Sequence, residues 1–119
     1  MSTVVHFEIP ADDIRRAKDF YTNLFGWGIE EIKGMDYWMI TTSGECPING
    51  GIMKRQSPQQ GITNYVDVRS VADHILQVEK LGGKIIVPKT AVPGMGYFVV
   101  CLDTENNPFG LWEGNKDAK

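Results

Sequence analysis

The sequence has few cysteines, no excess of basic residues and no long apolar segment. Its two cysteines, Cys46 and Cys101, are too few for a disulfide-stabilised scaffold, so we expect reduced thiols. With 12 Lys and Arg against 15 Asp and Glu, the chain lacks the basic surface on which nucleic-acid binding depends. The sequence therefore predicts a protein that does not bind nucleic acid.

Apolar runs such as Tyr97 to Leu102 are far shorter than the ~20 residues that cross a bilayer. The first residues, Met-Ser-Thr-Val-Val-His, show neither the basic nor the apolar stretch of a secretion signal. We therefore expect a cytoplasmic protein with no membrane partner. The 119 residues are 42% hydrophobic and 23% charged, which is typical of a globular chain and predicts a single domain over residues 1–119.

The first half of the chain has the pattern of one strand, one helix and three further strands. Val4 to Ile9 is predicted to be a strand that ends at Pro10. A helix is predicted by apolar residues at helical spacing, with Gly26 as its stop: Ile14, Ala17, Tyr21 and Leu24. Glycine, serine, aspartate and proline bound the three following strands: Trp27–Lys33, Tyr37–Thr42 and Gly51–Arg55.

The same pattern then repeats at an offset of about 57 residues. Ser70 begins a second helix, which carries an apolar stripe and stops at Gly82. Four strands are predicted around it: Asn64–Val68, Lys84–Val87, Tyr97–Leu102 and Pro108–Glu113. The chain is therefore predicted to be α+β, with two tandem βαβββ modules covering about residues 1–57 and 58–119.

One helix can cover only one face of its sheet, so the other face needs another occupant. We expect the two modules to form a curved mixed sheet, with helices on the convex face and a concave cup that binds a ligand. Strand alternation turns Phe7 and Ile9 toward the helices. The cup is then predicted to contain these residues: His6, Glu8, Thr63, Tyr65, Asp67 and Trp112.

Aromatic side chains are candidates for stacking on a planar ligand. They include Tyr65, Trp112 and one of Tyr37 or Trp38, although plugging the cup or a dimer contact would use the same residues. We include Trp38 and Tyr97 among the ligand-binding candidates. The segment from Pro88 to Tyr97 is predicted to be a long connection, which forms either a lid over the cup or a plain surface loop.

Two segments of the sequence resemble the vicinal oxygen chelate superfamily, which includes glyoxalase I, extradiol dioxygenases and bleomycin-resistance proteins. The first begins with Val5-His6-Phe7-Glu8-Ile9-Pro10-Ala11-Asp12-Asp13 and continues as Phe20-Tyr21-Thr22-Asn23-Leu24-Phe25-Gly26-Trp27. The second runs from Phe98 to Glu113 and resembles the final hairpin of the family. The resemblance covers nearly the whole chain and implies the doubled module and a homodimer.

The resemblance also implies a divalent metal site, but most of its ligands are missing. His6 matches the first ligand position, whereas residues 49–53 contain no carboxylate. Thr63 and Gly110 occupy positions where the family has His and Glu. Glu113 is no substitute, because alternation places it on the opposite face. A metal cofactor is therefore not expected, with His6 as the one remaining ligand of an incomplete site.

Two functions follow from this sequence. The first is metal-independent binding of a small organic molecule, as in the bleomycin-resistance branch. The second is an enzyme of lyase, isomerase or dioxygenase type that acts on a small oxygenated substrate, with a metal or with His6 and Glu8 as acid and base. Glyoxalase I activity itself is disfavoured, because its mechanism requires a Lewis acid.

Overall fold

The computed structural model describes residues 2–119, which contain eight strands and two helices. Contacts divide the described residues into two compact units: His6–Thr63 forms the first, and residues 2–5 together with Asn64–Lys119 form the second. The strand and helix order is β-α-β-β-β twice. The predicted α+β fold with tandem βαβββ modules is therefore confirmed.

In the first unit, a mixed sheet packs against one helix. Its strands lie in the order β2-β3-β4-β1, with β1 parallel to β4 and the other pairs antiparallel. Its elements are β1 (Val4–Ala11), α1 (Ile14–Phe25), β2 (Gly28–Glu31), β3 (Tyr37–Thr41) and β4 (Asn49–Lys54). Strand β1 continues through Pro10 and ends two residues later than predicted.

Helix α1 begins and ends where its capping residues require. The Asp13 side chain accepts a hydrogen bond from the Arg16 backbone N–H, and Gly26 adopts the left-handed conformation with φ of 75°. The apolar face of α1 covers the sheet, where Ile9, Ile40 and Ile52 are buried. Phe7 packs against the same cluster, so the predicted alternation along β1 is confirmed.

The second unit repeats this arrangement with strands in the order β5-β8-β7-β6, and β5 is parallel to β8. Its elements are β5 (Thr63–Asp67), α2 (Val71–Lys80), β6 (Lys84–Val92), β7 (Gly96–Leu102) and β8 (Pro108–Gly114). Ser70 caps α2 by accepting from the Asp73 N–H, as the sequence predicts. Val71, the first residue of α2, is fully buried, and it packs in one cluster with Val99 and Cys101 of β7, which are also fully buried.

The prediction of a long connection between Pro88 and Tyr97 is wrong. Strand β6 continues to Val92 and β7 begins at Gly96, which leaves only a short turn between the two strands. Strand β6 is the outer strand of its unit, where proline costs little because one edge needs no partner. The register of β6 against β7 shifts between Ile85 and Thr90, which accommodates the proline. The residues that indicated a loop in the sequence therefore belong to an irregular, bulged strand.

Neither helix described between residues 2 and 119 has the length and apolar content that crossing a bilayer requires.

Candidate functional site

Three polar side chains meet on the face of the first unit's sheet that points away from α1. His6 and Glu8 are two residues apart on β1, so they lie on the same face of the strand. Tyr37 begins β3 and reaches both of them. Its hydroxyl oxygen lies 2.5 Å from His6 Nε2 and 2.9 Å from Glu8 Oε2, while the latter two atoms are 4.0 Å apart. The phenol therefore bridges the imidazole and the carboxylate.

The hydrogen-bond directions follow from the number of protons available. A phenol has one hydroxyl proton, and here it is donated to the carboxylate of Glu8. The hydroxyl oxygen of Tyr37 must then accept from His6, which requires a proton on Nε2. This tautomer assignment follows from the hydrogen bonds. The three groups form a directed chain from imidazole to phenol to carboxylate.

Burial favours the neutral form of His6. The side chains of His6 and Glu8 keep 26% and 19% of their surfaces exposed. This burial lowers the pKa of His6 from its ordinary value of 6.5, and the negative charge of Glu8 opposes the shift without cancelling it. A neutral imidazole with its proton on Nε2 agrees with the hydrogen-bond pattern.

The donor set does not fit a divalent cation. No group of three or more His, Cys, Asp or Glu side chains within residues 2–119 is placed to hold one. On β4, the residue paired with Glu8 is Gly51, and the Tyr37 ring covers it. Tyr37 itself lies between His6 and Glu8, where two ligands of one metal ion would have to converge. Whether the protein acts without a metal stays a prediction.

Trp38, a predicted ligand-binding residue, lies on the helix-covered face. It packs against the core of the first unit, and Lys18 Nζ lies 5.1 Å from the centre of its ring. Its neighbour Tyr37 therefore shares the face of His6 and Glu8. Of the two aromatic residues that the sequence left open, Tyr37 is the one that forms a polar cluster with His6 and Glu8.

The remaining predicted residues have different surroundings. Thr63, the first residue of β5, is buried. In the second unit, Tyr65 is 6% exposed and its ring covers Gly110. The ring also makes an edge-to-face contact with Phe98, with 6.4 Å between the two ring centres. The Tyr65 ring occupies the space where a side chain at position 110 would lie, so glycine at this position makes room for the ring.

Asp67 and Trp112 are paired across β5 and β8, and both are half-buried. Tyr97 packs against the helix-covered core of the second unit, and Lys89 Nζ lies 4.4 Å from the centre of its ring. Ligand binding by these residues, like that of Trp38 and Tyr65, stays a prediction.

Sequence reasoning missed the role of the Tyr37 hydroxyl. Tyr37 was considered only as a ring for stacking, whereas its oxygen connects His6 to Glu8. The available signal was the glycine pair on the neighbouring strand, Gly50 and Gly51, which leaves room for a ring beside β1.

On the helix side of the first unit lies a shallow cleft of about 400 Å³. Its lining includes Ile9, Ala17 and the largely exposed Phe20. The Nε atom of Arg55 donates to Asp12 Oδ1 over 3.0 Å, which neutralises part of the charged rim. The cleft and the cluster of His6, Glu8 and Tyr37 lie on opposite sides of one sheet.

Known proteins resemble this chain in sequence and in fold. Residues 3–43, which include His6, Glu8 and Tyr37, match a family model described as bleomycin resistance protein-like N-terminal. A glyoxylase-like domain-containing protein of Didymella fabae is 30% identical over 87% of this chain and 88% of its own length. The proposed glyoxylase CFP32 of Mycobacterium bovis is 29% identical over 92% of this chain.

The chain spans only 44% of the length of CFP32. Among solved structures, a member of the glyoxalase, bleomycin resistance protein and dioxygenase superfamily from Vibrio splendidus 12B01 has the same fold. The TM-score is 0.70 and the sequence identity is 13%, and the match covers 97% of this chain and 100% of the Vibrio protein.

Proposed function

This chain belongs to the vicinal oxygen chelate superfamily, and from that premise we propose that it binds a small, planar organic molecule without a metal. The observation that carries the proposal is the hydrogen-bonded chain of His6, Tyr37 and Glu8 on the face away from α1. It provides fixed polar groups beside an aromatic ring, which is the usual composition of a small-molecule site. A cytoplasmic location and a homodimer are part of the same proposal.

The chemistry of the cluster favours a ligand with both a flat ring and hydrogen-bonding groups. The Tyr37 ring offers a surface for stacking, and Glu8 offers a negatively charged acceptor. The family model that covers these residues is named for bleomycin resistance. Copper-free bleomycin is therefore a suitable first probe, followed by simpler heteroaromatic compounds.

Thermal unfolding with and without these probes tests the proposal, with EDTA in every sample. A ligand that binds the folded state raises the melting temperature in proportion to ln(1 + [L]/Kd). We expect stabilisation of the wild type and loss of that stabilisation in Tyr37→Phe and Glu8→Gln. Phe20→Ala, in the cleft on the other side of the sheet, is the matched control and should retain it.

Two results would contradict metal-independent binding at this cluster. One is stabilisation that appears only after EDTA is replaced by a divalent cation. The other is stabilisation that survives Tyr37→Phe and disappears in Phe20→Ala, which would place the ligand in the cleft beside α1.

A second function, acid–base catalysis, is favoured by the same chain of hydrogen bonds. A proton that a substrate gives to His6 Nδ1 can be balanced if Nε2 passes its proton to Tyr37 and the phenol passes its own to Glu8. The substrate becomes an anion and Glu8 becomes a neutral acid, so every proton in the transfer is accounted for. Solvent deuterium incorporation into α-hydroxyketones tests this route. Exchange that is lost in Tyr37→Phe supports it, and exchange that is unchanged in Tyr37→Phe and Glu8→Gln excludes it.

A further inference from the structure

Gly51 lies directly beneath the Tyr37 ring. Across the antiparallel pair β3 and β4, Tyr37 is opposite Met53, so Gly51 is its diagonal neighbour on the same face. A methyl group added at Gly51 would overlap the Cζ, Oη and Cε1 atoms of Tyr37. The Tyr37 ring therefore packs directly on the backbone of β4, because Gly51 has no side chain between them.

Backbone geometry gives no reason for a glycine at this position. Glycines with positive φ among residues 2–119 lie elsewhere: Gly26, Gly34, Gly44, Gly82 and Gly94. Gly51 is buried in the middle of a strand, where glycine is less favourable than alanine because it loses more conformational freedom on folding. What Gly51 provides is space, and the Tyr37 ring fills that space.

We infer that Gly51 is a positioning residue, which places the Tyr37 hydroxyl between His6 and Glu8. The inference rests on the proposed function in one respect, because it takes these three side chains as the ligand-binding groups. A ring seated on β4 has its hydroxyl already aligned with both partners before a ligand arrives. Such preorganisation strengthens binding, since less side-chain freedom is lost in the complex.

Gly51→Ala is the direct test, with Gly28→Ala as its control. The overlap falls on the far end of the half-buried Tyr37 side chain, which can rotate away and leave the strand intact. At Gly28, the nearest atom to an added Cβ is Thr41 Cβ at 3.9 Å, which is an ordinary contact. Both variants add the same methyl group to a strand of the first unit.

Proton and nitrogen NMR of the His6 imidazole reports the hydrogen bond from Nε2 to Tyr37. We expect a protected Nε2–H signal in the wild type and in Gly28→Ala. The signal should be lost in Gly51→Ala and in Tyr37→Phe, which lacks the hydroxyl. Persistence of the signal in Gly51→Ala would overturn the inference, because the hydroxyl would then be held without the glycine.

A double variant keeps the inference testable if Gly51→Ala folds poorly. If the methyl group harms the protein only through the Tyr37 ring, its cost should disappear when that ring is removed. We expect Tyr37→Ala with Gly51→Ala to unfold at a urea concentration no lower than that of Tyr37→Ala alone, because alanine is the more favourable residue in a strand once the ring is absent. A double variant that is weakened as much as the single Gly51→Ala variant would overturn the positioning role.

These results separate the inference from the proposed function. If the NMR signal responds as expected but no probe stabilises the wild type, the positioning role stands and the ligand proposal fails. If probes stabilise the wild type and Gly51→Ala equally while the signal persists in that variant, the ligand proposal stands and the positioning role fails.

Discussion

Glu113, near the end of β8, caps the second helix through the backbone of Val71. Its Oε1 atom accepts a hydrogen bond from the Val71 N–H over 3.0 Å. The carboxylate therefore lies on the helix-covered face of the second unit, which is where strand alternation predicted it. It also places a negative charge at a helix N-terminus, where exposed N–H groups favour an anion.

Removing this carboxylate should weaken the second unit. We expect Glu113→Ala to lower the free energy of unfolding by about 1 kcal/mol, because the first N–H of α2 loses its acceptor. Glu113→Gln keeps an acceptor oxygen of the same reach and should retain most of the stability. Urea denaturation followed by circular dichroism measures both. Equal losses in the two variants would show that the charge, and not the hydrogen bond, carries the effect.

Gly110→Ala should be more damaging than Gly51→Ala. A methyl group at Gly110 would overlap Cδ2 of Tyr65 and lie 2.7 Å from Cγ, which is the root of a ring that is only 6% exposed. That ring cannot swing aside as Tyr37 can, so we expect a loss of about 1–3 kcal/mol, typical of an overpacked core. Thermal melting of both variants checks the ranking, and a more stable Gly110→Ala variant would contradict it.

Acid should destabilise the protein through His6. Because burial lowers the pKa of His6 below 6.5, the unfolded chain binds a proton there more readily than the folded chain does. The contribution of neutral His6 to the free energy of unfolding is complete above pH 6.5, the ordinary pKa of the group. It declines as the pH falls through the lower pKa of the folded state. Glu8 and Tyr37 are two titratable groups that contact the imidazole.

The measurement is the urea midpoint from about pH 7.5 down to about pH 5.5, where histidine titrates. We expect His6→Gln to flatten the decline seen in the wild type. His74→Gln removes the second histidine, whose Nδ1 lies 3.0 Å from the Ser70 carbonyl oxygen, and should keep the decline. A wild-type slope that persists in His6→Gln would assign the acid sensitivity to other groups.

The two cysteines should differ sharply in reactivity. Cys101 is fully buried, and burial raises its pKa to about 11, so almost no thiolate forms at neutral pH. Cys46 is exposed. We expect one thiol to react with a disulfide reagent in the native protein and two in urea. Cys46→Ser should abolish the native reaction, and fast labelling of Cys101 would mean that the second unit opens readily.

The fold was predictable because its signals are local. Helix α1 follows from apolar spacing and from Gly26, and the repeat follows from the same pattern one module later. Pro88 misled because proline in a sequence indicates a loop, whereas an outer strand with a bulge tolerates it. Local chemistry does not reveal which strand lies at the edge of a sheet.

The candidate site was only half predictable. His6 and Glu8 are two residues apart on one strand, so alternation alone places them together. Tyr37 reaches them from β3 because of the register among β1, β4 and β3, which depends on the pairing of residues far apart in sequence. The choice between Tyr37 and Trp38 depended on that register, and no local pattern settled it.

The bulged course of β6 has a consequence for the behaviour of the protein at high concentration. A straight outer strand offers a row of unpaired N–H and C=O groups onto which a strand of another molecule can add. The proline and the register shifts around it interrupt that row. We therefore expect this irregular edge to discourage the addition of further strands, a role different from both the lid and the plain surface loop that the sequence left open for this segment.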